Sequence, residues 1–243
     1  MKPALLLLFC GAFAAGAAAP TSAGAPVLVE LFTSEGCSSC PSADRLLARL
    51  AADQPIPGAL VVPLSLHVDY WNHLGWKDPF SSPRYTKRQG GYAARFGNPG
   101  RVYTPQMVVD GRTAFLGSDE GEARRAIGES AREPKALVRV ALNATGAAHV
   151  TVAGAPGGAD VFLAVLEDGI VSEVTRGENA GRRLAHTAVA RDLLAAGRVD
   201  MAGRFDASVP VEPARGARRV LAFVQEHGLG RVLGVSAPAD LPR

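Results

Sequence analysis

Two cysteines two residues apart, Cys37 and Cys40, lie between a largely apolar run and an amphipathic stretch, and this arrangement constrains the chain most strongly. The apolar run, 27–32, is typical of a strand. In the following stretch, apolar residues recur with helical spacing, which predicts a helix over 41–53 with Pro41 in its first turn. A strand that enters a helix through Cys-x-x-Cys places the first sulfur at the helix N-terminus, where free N–H groups favour a thiolate. The pair is therefore a candidate dithiol/disulfide switch.

The N-terminus has the features of a secretory signal peptide. Lys2 precedes an apolar run and small residues follow it, and the strongly apolar part is shorter than the roughly 20 residues that span a membrane. We expect residues 1–19 to be a signal peptide, so the mature protein is expected in the periplasm or outside the cell and not embedded in a membrane. Cys10 lies within this segment. The Cys-x-x-Cys pair then provides the only cysteines of the mature chain.

The cysteine pair is compatible with redox catalysis, metal binding or a structural role. A disulfide that spans two residues closes a very small loop and removes little entropy from the unfolded chain, which disfavours a purely structural role. Export and the strand-to-helix placement favour an oxidoreductase that acts on protein thiols or disulfides, together with a membrane or periplasmic redox partner. Sulfur exchange requires no cofactor. The alternatives are copper or zinc binding with histidines such as His67 or His73, and a redox-inert interaction module.

The charge composition argues against one class of partner. The chain carries 26 lysines and arginines against 23 acidic residues, which gives a formal net charge of +3. The basic residues are spread along the chain, so no strong positive field is indicated and we expect no nucleic-acid partner.

Residues 27–133 have the pattern of alternating strands and helices. After the Cys-x-x-Cys helix, the predicted elements are a strand over 59–66, a helix carrying Tyr85, Tyr92 and Phe96, a hairpin over 106–116, and a helix carrying Ala123, Ala126 and Ile127. This order is the minimal topology of thioredoxin. Members of the thioredoxin superfamily place a cis-proline opposite their two cysteines, and Thr104-Pro105 stands at that position here. The expected fold class begins with an α/β thioredoxin-like domain.

A closer resemblance is carried by four segments, 30–41, 67–72, 102–106 and 177–182. They resemble the signature segments of a bacterial family of secreted thioredoxin-like proteins that is catalogued as a domain of unknown function. The resemblance covers nearly the whole mature chain. It implies an N-terminal thioredoxin fold with a C-terminal extension, and it implies no named substrate.

Residues 134–243 have a different pattern. Short alternating segments separated by glycine, proline and asparagine or aspartate predict a smaller, mostly antiparallel β domain. One helix is predicted over 184–196, with Gly197 as its C-cap. The segment 177–182 lacks the spacing and the lysine of a phosphate loop, so it is interpreted as a turn, with docking against the first domain or a partner as the sharper alternative.

Four residues are predicted to take part in catalysis. Cys37, at the exposed end of the helix, is expected to attack, and Cys40 is expected to resolve the mixed disulfide. Pro105 is expected beside the sulfurs in a cis bond. Glu30 interrupts the apolar run, so its carboxylate is expected either beneath the cysteines as a proton acceptor or at the strand edge facing water.

Two further residues are predicted to contact substrate. Thr104 precedes Pro105, whose missing N–H leaves the neighbouring backbone free to pair with an extended peptide. Trp71 lies in a loop, 67–76, that holds both tryptophans of the chain. The loop is interpreted either as a rim that binds peptide or metal, or as a packed loop whose aromatic side chains cover the sheet.

Overall fold

The computed structural model describes residues 24–142, 147–211 and 218–240. The predicted signal peptide, 1–19, lies outside the described residues, and so does Cys10. Within the described ranges, no helix is long and apolar enough to cross a membrane.

The individual strands and helices predicted in the first half of the chain are present. In chain order they are β1 (Ala25–Thr33), α1 (Cys40–Asp53), β2 (Ala59–His67), a short 3-10 helix (Asn72–Leu74), α2 (Pro83–Arg95), β3 (Gln106–Val109), β4 (Thr113–Leu116) and α3 (Glu120–Ser130). The hydroxyl of Ser82 accepts the N–H of Arg84 and caps α2, and the carboxylate of Asp119 caps α3 in the same way. These boundaries follow from local signals, because each cap lies within three residues of the groups that it satisfies.

The second half of the chain is built of strands. In chain order they are β5 (Leu137–Leu142), β6 (Ala148–Ala153), β7 (Asp160–Glu167), β8 (Ile170–Glu173), β9 (Arg183–His186), β10 (Val189–Arg198), β11 (Arg204–Val209), β12 (Arg218–Gln225), β13 (Val232–Val235) and β14 (Ala239–Asp240). The helix predicted over 184–196 is wrong, because these residues form β9 and β10. Alanine and leucine favour a helix by only tenths of a kcal/mol per residue, whereas β10 gains neighbouring strands on both sides.

The expected fold class, an α/β thioredoxin-like domain followed by a smaller antiparallel β domain, is wrong. The described chain is mostly β, and strands from both halves form one nine-stranded mixed sheet in the order β13-β12-β7-β10-β2-β1-β3-β4, with β14 paired to β12. The junction lies where β10 runs parallel to β2, with Val189 opposite Ser65. Without β10, β2 would be an edge strand with unpaired backbone groups, so the second half completes the sheet of the first.

Two smaller sheets accompany the large one. β11, β6 and β5 form a three-stranded sheet that packs on the second half through a cluster including Val150, Leu163 and Val220. β8 and β9 form a separate two-stranded ribbon. We call this element the ribbon, and its turn, 177–182, reaches the cysteines.

The two faces of β1 have different neighbours. Val29 and Leu31 pack on the side of α1 and α3, while Leu28 and Phe32 belong to a core with Tyr92 of α2. Successive side chains of a strand point to opposite faces. Glu30 therefore lies on the α2 face, opposite the helix that carries Cys40.

Candidate redox site

Cys37 and Cys40 form a disulfide at the N-terminus of α1, with their Cα atoms 5.4 Å apart. Cys40 is the first residue of the helix, and its N–H donates to the carbonyl of Cys37 over 3.2 Å. Both cysteines are fully buried. The expectation that Cys37 lies at an exposed helix end is therefore wrong, and the loop that carries Cys37 is contacted by the second half of the chain.

The turn of the ribbon holds the loop that carries Cys37. The side-chain amide of Asn179 donates to the carbonyl of Glu35 over 2.8 Å and to the carbonyl of Cys37 over 2.9 Å. The carboxylate of Glu178 accepts the N–H of Ser38 over 3.0 Å. Three hydrogen bonds thus join the turn to Glu35, Cys37 and Ser38, and Asn179 is itself fully buried.

Glu35 is the centre of the same loop. Its N–H donates to Asp78 over 2.8 Å, and its carboxylate accepts from Trp76 over 2.8 Å and lies 3.0 Å from Nε2 of His186. Burial alone would raise the pKa of Glu35, but the hydrogen bonds from His186, Ser172 and Trp76 outweigh it and hold the pKa below its usual value. Glu35 is therefore a buried carboxylate two residues before the disulfide.

His67 and Asp78 form a buried pair behind this loop. Nδ1 of His67 lies 2.7 Å from Oδ2 of Asp78, and neither side chain has exposed surface. Burial opposes a charge on His67, but the neighbouring carboxylates, chiefly Asp78, outweigh it, so the pKa of His67 is raised. Burial alone would raise the pKa of Asp78, but the charge and hydrogen bond of His67 outweigh it, so the pKa of Asp78 is lowered. The ring of His67 lies 4.9 Å from that of His186, centroid to centroid. The pair therefore adjoins the Glu35 contacts.

Asp44 adds a second buried carboxyl group on α1. It lies one helical turn after Cys40 and accepts a hydrogen bond from the hydroxyl of Thr33 over 2.8 Å. Burial raises its pKa, against the opposing charges of His186 and His67. We call Glu35, Asp44, His67, Asp78 and His186 the polar cluster. Among the described residues, no three His, Cys, Asp or Glu side chains are arranged to hold a metal ion.

Pro105, Thr104 and Trp71 lie on the same side of the molecule as this loop. The Thr104–Pro105 bond is cis, as predicted. A Cβ atom placed on Gly117 would lie 3.1 Å from Cβ of Pro105 and 3.3 Å from Cβ of Ala43, so the proline lies beside α1. The indole N–H of Trp71 donates to the hydroxyl of Thr104 over 2.8 Å, and Trp71 packs against Gly36. Both contacts place these residues next to the Cys-x-x-Cys segment.

Glu30 does not lie beneath the cysteines, so that predicted position is wrong, and it does not face water either. Its carboxylate accepts hydrogen bonds from Nε and Nη2 of Arg88, over 2.6 and 3.1 Å, and from the hydroxyl of Tyr92 over 2.6 Å. These partners belong to α2, on the face of the sheet opposite α1. The odd-even alternation along β1 decides this placement.

The family model described as "Protein of unknown function (DUF1223)" matches residues 28–225 of the chain. The protein belongs to this family. The predicted resemblance to a family of unknown function is confirmed at that level. The DUF1223 match includes both the cysteines and the turn 177–182, so both parts of the candidate site lie within the family segment.

Two further comparisons bear on the DUF1223 chain. A comparison with curated proteins gave no match. A protein of Agrobacterium tumefaciens, known from an X-ray crystal structure, is similar with a TM-score of 0.69 and 28% sequence identity, over 90% of this chain and 94% of that chain. The similarity thus extends across both halves that build the large sheet.

The sequence patterns did not identify Glu35, Asp78, Asn179 or His186 as site residues. Glu35 and Asn179 lie in segments that carry the resemblance, but no local pattern links them. The hydrogen bond between Asn179 and Cys37 spans 142 positions of the chain. The pairing of β10 with β2 joins the second half to the first and helps to place the ribbon beside the cysteines.

Proposed function

We propose that this DUF1223 protein is an exported thiol-disulfide oxidoreductase that exchanges disulfides with other proteins through Cys37 and Cys40, with the chemistry of thioredoxin-like enzymes. The observation that carries the proposal is the disulfide at the N-terminus of α1, next to the buried polar cluster. Ionisable groups with shifted pKa values beside a reactive pair are typical of functional sites. Export to the periplasm or the exterior rests on the signal-like residues 1–19.

The proposed exchange reaction has two steps. A thiolate of the partner attacks one sulfur of the Cys37–Cys40 disulfide, forms a mixed disulfide with it and releases the other cysteine as a thiolate. A second thiolate of the partner then attacks the mixed disulfide, so the partner gains a disulfide and the protein gains two thiols. Two electrons pass from the partner to the cysteine pair, and two protons pass to its sulfurs. In the reverse direction, Cys37 attacks the partner disulfide and Cys40 resolves the intermediate.

Pro105, Thr104 and Trp71 provide the surface on which a partner peptide is proposed to lie. They adjoin the Cys-x-x-Cys segment, and Tyr103 beside them is 41% exposed. Aromatic side chains with one polar atom are common anchors in protein interfaces. The partner is a protein with accessible thiols or a disulfide, and a membrane or periplasmic redox protein would return the pair to its starting state.

Cysteine variants test the proposed reaction. Purified protein is expected to accelerate the reduction of insulin by dithiothreitol, measured as turbidity. Cys37→Ser abolishes this acceleration, and Cys40→Ser accumulates mixed disulfides through Cys37, detected by mass spectrometry. His73→Ala, an exposed residue of the nearby loop, serves as the matched control and retains activity.

The metal-binding alternative has a separate signature. The reduced protein is titrated with copper(I) and with zinc in the presence of competing chelators. Stoichiometric tight binding that requires His67 or His73, without disulfide turnover, would contradict the oxidoreductase proposal. Turnover that survives both histidine substitutions supports it.

A further inference from the structure

The ribbon turn is a rigid element that stands outside the large sheet. Gly177 and Gly181 adopt positive φ angles of 75° and 78°, and the N–H of Gly181 donates to the carbonyl of Val174 over 2.7 Å. The N–H of Arg182 donates to the carbonyl of Asn179 over 3.0 Å. These bonds define the conformation of the turn independently of its contacts with the cysteine loop.

All hydrogen-bonding groups of the Asn179 side chain point to the loop or to the turn itself. Its two N–H groups donate to the carbonyls of Glu35 and Cys37, and its oxygen accepts from Nη1 of Arg182 over 2.8 Å. The two acceptor carbonyls lie on either side of Gly36. Asn179 therefore restrains the backbone that determines where the sulfur of Cys37 lies. Because Asn179 is buried, water cannot readily replace these hydrogen bonds if they are broken.

Glu178 places a negative charge at the start of α1. Its carboxylate accepts from Ser38, between the two cysteines, and these hydrogen bonds lower the pKa of Glu178, so it is ionised at neutral pH. The N–H of Ser38 is one of the donors that would otherwise favour a thiolate at this helix terminus. A carboxylate beside a thiol also disfavours a second negative charge. Both effects act in the same direction.

We propose that Glu178 and Asn179 are positioning residues of the exchange reaction: Asn179 keeps Cys37 covered until a partner displaces the ribbon turn, and Glu178 suppresses the thiolate of reduced Cys37. This inference rests on the proposed function, since it assumes that the pair exchanges disulfides. Destabilising the thiolate stabilises the disulfide relative to the dithiol and makes the pair more reducing. The second half of the chain thus regulates the reactivity of a site that the first half builds.

The charge effect is tested with Glu178→Gln, which retains an oxygen acceptor for Ser38 but removes the charge. Glu173→Gln is the matched control, because it removes the same charge from the same ribbon at a side chain that is 73% exposed. In the reduced full-length protein, Glu178→Gln is expected to increase the alkylation rate of Cys37 by iodoacetamide at pH 7 on the order of threefold. The equilibrium with glutathione shifts by a similar factor toward the reduced protein.

The two variants, Glu178→Gln and Glu173→Gln, are expected to differ in both the alkylation rate and the equilibrium with glutathione. Glu173→Gln is expected to leave both quantities within about 1.3-fold of wild type, since exposed charges are screened. Equal behaviour of the two variants, or a slower alkylation of Glu178→Gln, overturns the proposed role of Glu178.

The covering effect is tested by the rate at which dithiothreitol reduces the disulfide of the oxidised protein. Asn179→Ala removes both bonds to the loop and is expected to increase this rate on the order of tenfold, because opening the turn then breaks fewer hydrogen bonds. Arg182→Ala, which removes only the bond that orients Asn179, increases it less and serves if Asn179→Ala does not fold. If a folded Asn179→Ala or Arg182→Ala variant is reduced by dithiothreitol at the wild-type rate, Asn179 does not cover the disulfide and this role is overturned.

The two proposals fail separately. The rates with iodoacetamide, glutathione and dithiothreitol report the cysteine pair itself and need no protein partner. If the Glu178 and Asn179 effects are present but insulin reduction is absent, the regulation of the pair stands and the oxidoreductase function is contradicted.

Discussion

Glu30 and Glu35 are both fully buried glutamates, one within β1 and the other in the loop that follows it, yet their surroundings differ in kind. Glu30 is held by Arg88, a guanidinium that is always charged, and by the hydroxyl of Tyr92. Glu35 is held by the indole N–H of Trp76 and by the imidazole of His186. The first glutamate forms an ion pair with a guanidinium, and the second belongs to the polar cluster, in which the pKa of His67 is raised and that of Asp78 is lowered.

The Glu30 network is closed and joins the two halves of the chain. Nη2 of Arg88 also donates to Gln225 of β12 over 3.0 Å, and Gln225 donates to the hydroxyl of Tyr92 over 2.9 Å. The guanidinium lies 5.4 Å from the ring centroid of Phe223. Burial alone would lower the pKa of Arg88, but the charge and hydrogen bonds of Glu30 outweigh it and the pKa is raised. Every charge has a partner, so this network is suited to stability rather than to chemistry.

The polar cluster around Glu35, in contrast, contains buried polar atoms that have no hydrogen-bond partner in the part of the chain that the structure describes. Nε2 of His67 and Nδ1 of His186 are buried without a hydrogen-bond partner among the described residues. Burial alone therefore does not mark a functional carboxylate; the partners do. The comparison predicts that Glu30 affects stability alone, whereas Glu35 affects both stability and the cysteine pair.

The largest effect is expected for Glu30→Gln. Removing this charge leaves Arg88 buried without a counter-charge, which is expected to lower the free energy of unfolding by about 3–5 kcal/mol, measured by urea denaturation. Alkylation of the reduced cysteines stays at the wild-type rate. Glu120→Gln, which removes an exposed carboxylate paired with Arg124, is the control and is expected to leave the free energy of unfolding close to the wild-type value, because solvent screens exposed ion pairs. A cost below that of the control would mean that the buried pair is not needed.

A smaller loss of stability is expected for Glu35→Gln. An amide in place of the carboxylate loses a charge-assisted contact with His186, at a cost of about 1–3 kcal/mol. Because Glu35 lies two residues before Cys37, the pH dependence of alkylation is expected to shift, which Glu30→Gln does not cause. If both variants leave the pH profile unchanged, the distinction between the two glutamates is limited to stability.

The smallest effect concerns pH. The raised pKa of His67 means that its pairing with Asp78 contributes stability fully below the ordinary histidine value of 6.5, and that this contribution is lost as pH rises through the folded-state pKa. The lowered pKa of Asp78 means that the stabilisation from this pairing is fully present above pH 3.8 on the acid side. It is lost as the pH falls through the folded-state pKa of Asp78. The loss above pH 6.5 amounts to about 1.4 kcal/mol for each unit by which the pKa of His67 is displaced.

His67→Gln separates this contribution from the others. In the wild-type protein, the free energy of unfolding is expected to decline as the pH rises above 6.5. In the variant this decline is expected to be absent, as measured by urea denaturation at several pH values. The remaining titratable neighbours, Glu35, Asp44 and His186, are unchanged in the variant and act as the internal reference. An unchanged slope would show that His67 is neutral in the folded protein throughout this range.

The local elements around the cysteines follow from signals that can be read in the sequence alone. The spacing of Leu46, Leu47 and Leu50 predicts α1, and the Asp110-Gly111 turn predicts the β3–β4 hairpin. Both are present because the signals act over a few residues: helical periodicity within one element, and positive φ angles of 45° and 62° within one turn. The pair Cys37 and Cys40 is likewise a local feature, because only two residues lie between them.

The way in which the two halves combine these elements depends on contacts between distant parts of the chain. Residues 184–196 have a helical composition, yet β10 is a strand because it lies between β2 and β7. Asn179 bonds to the carbonyl of Cys37 across 142 positions of the chain, and the alternation of side chains along β1 turns Glu30 away from the sulfurs. Strand pairing depends on backbone groups that every residue carries, so a local sequence pattern does not encode which distant strand completes a sheet.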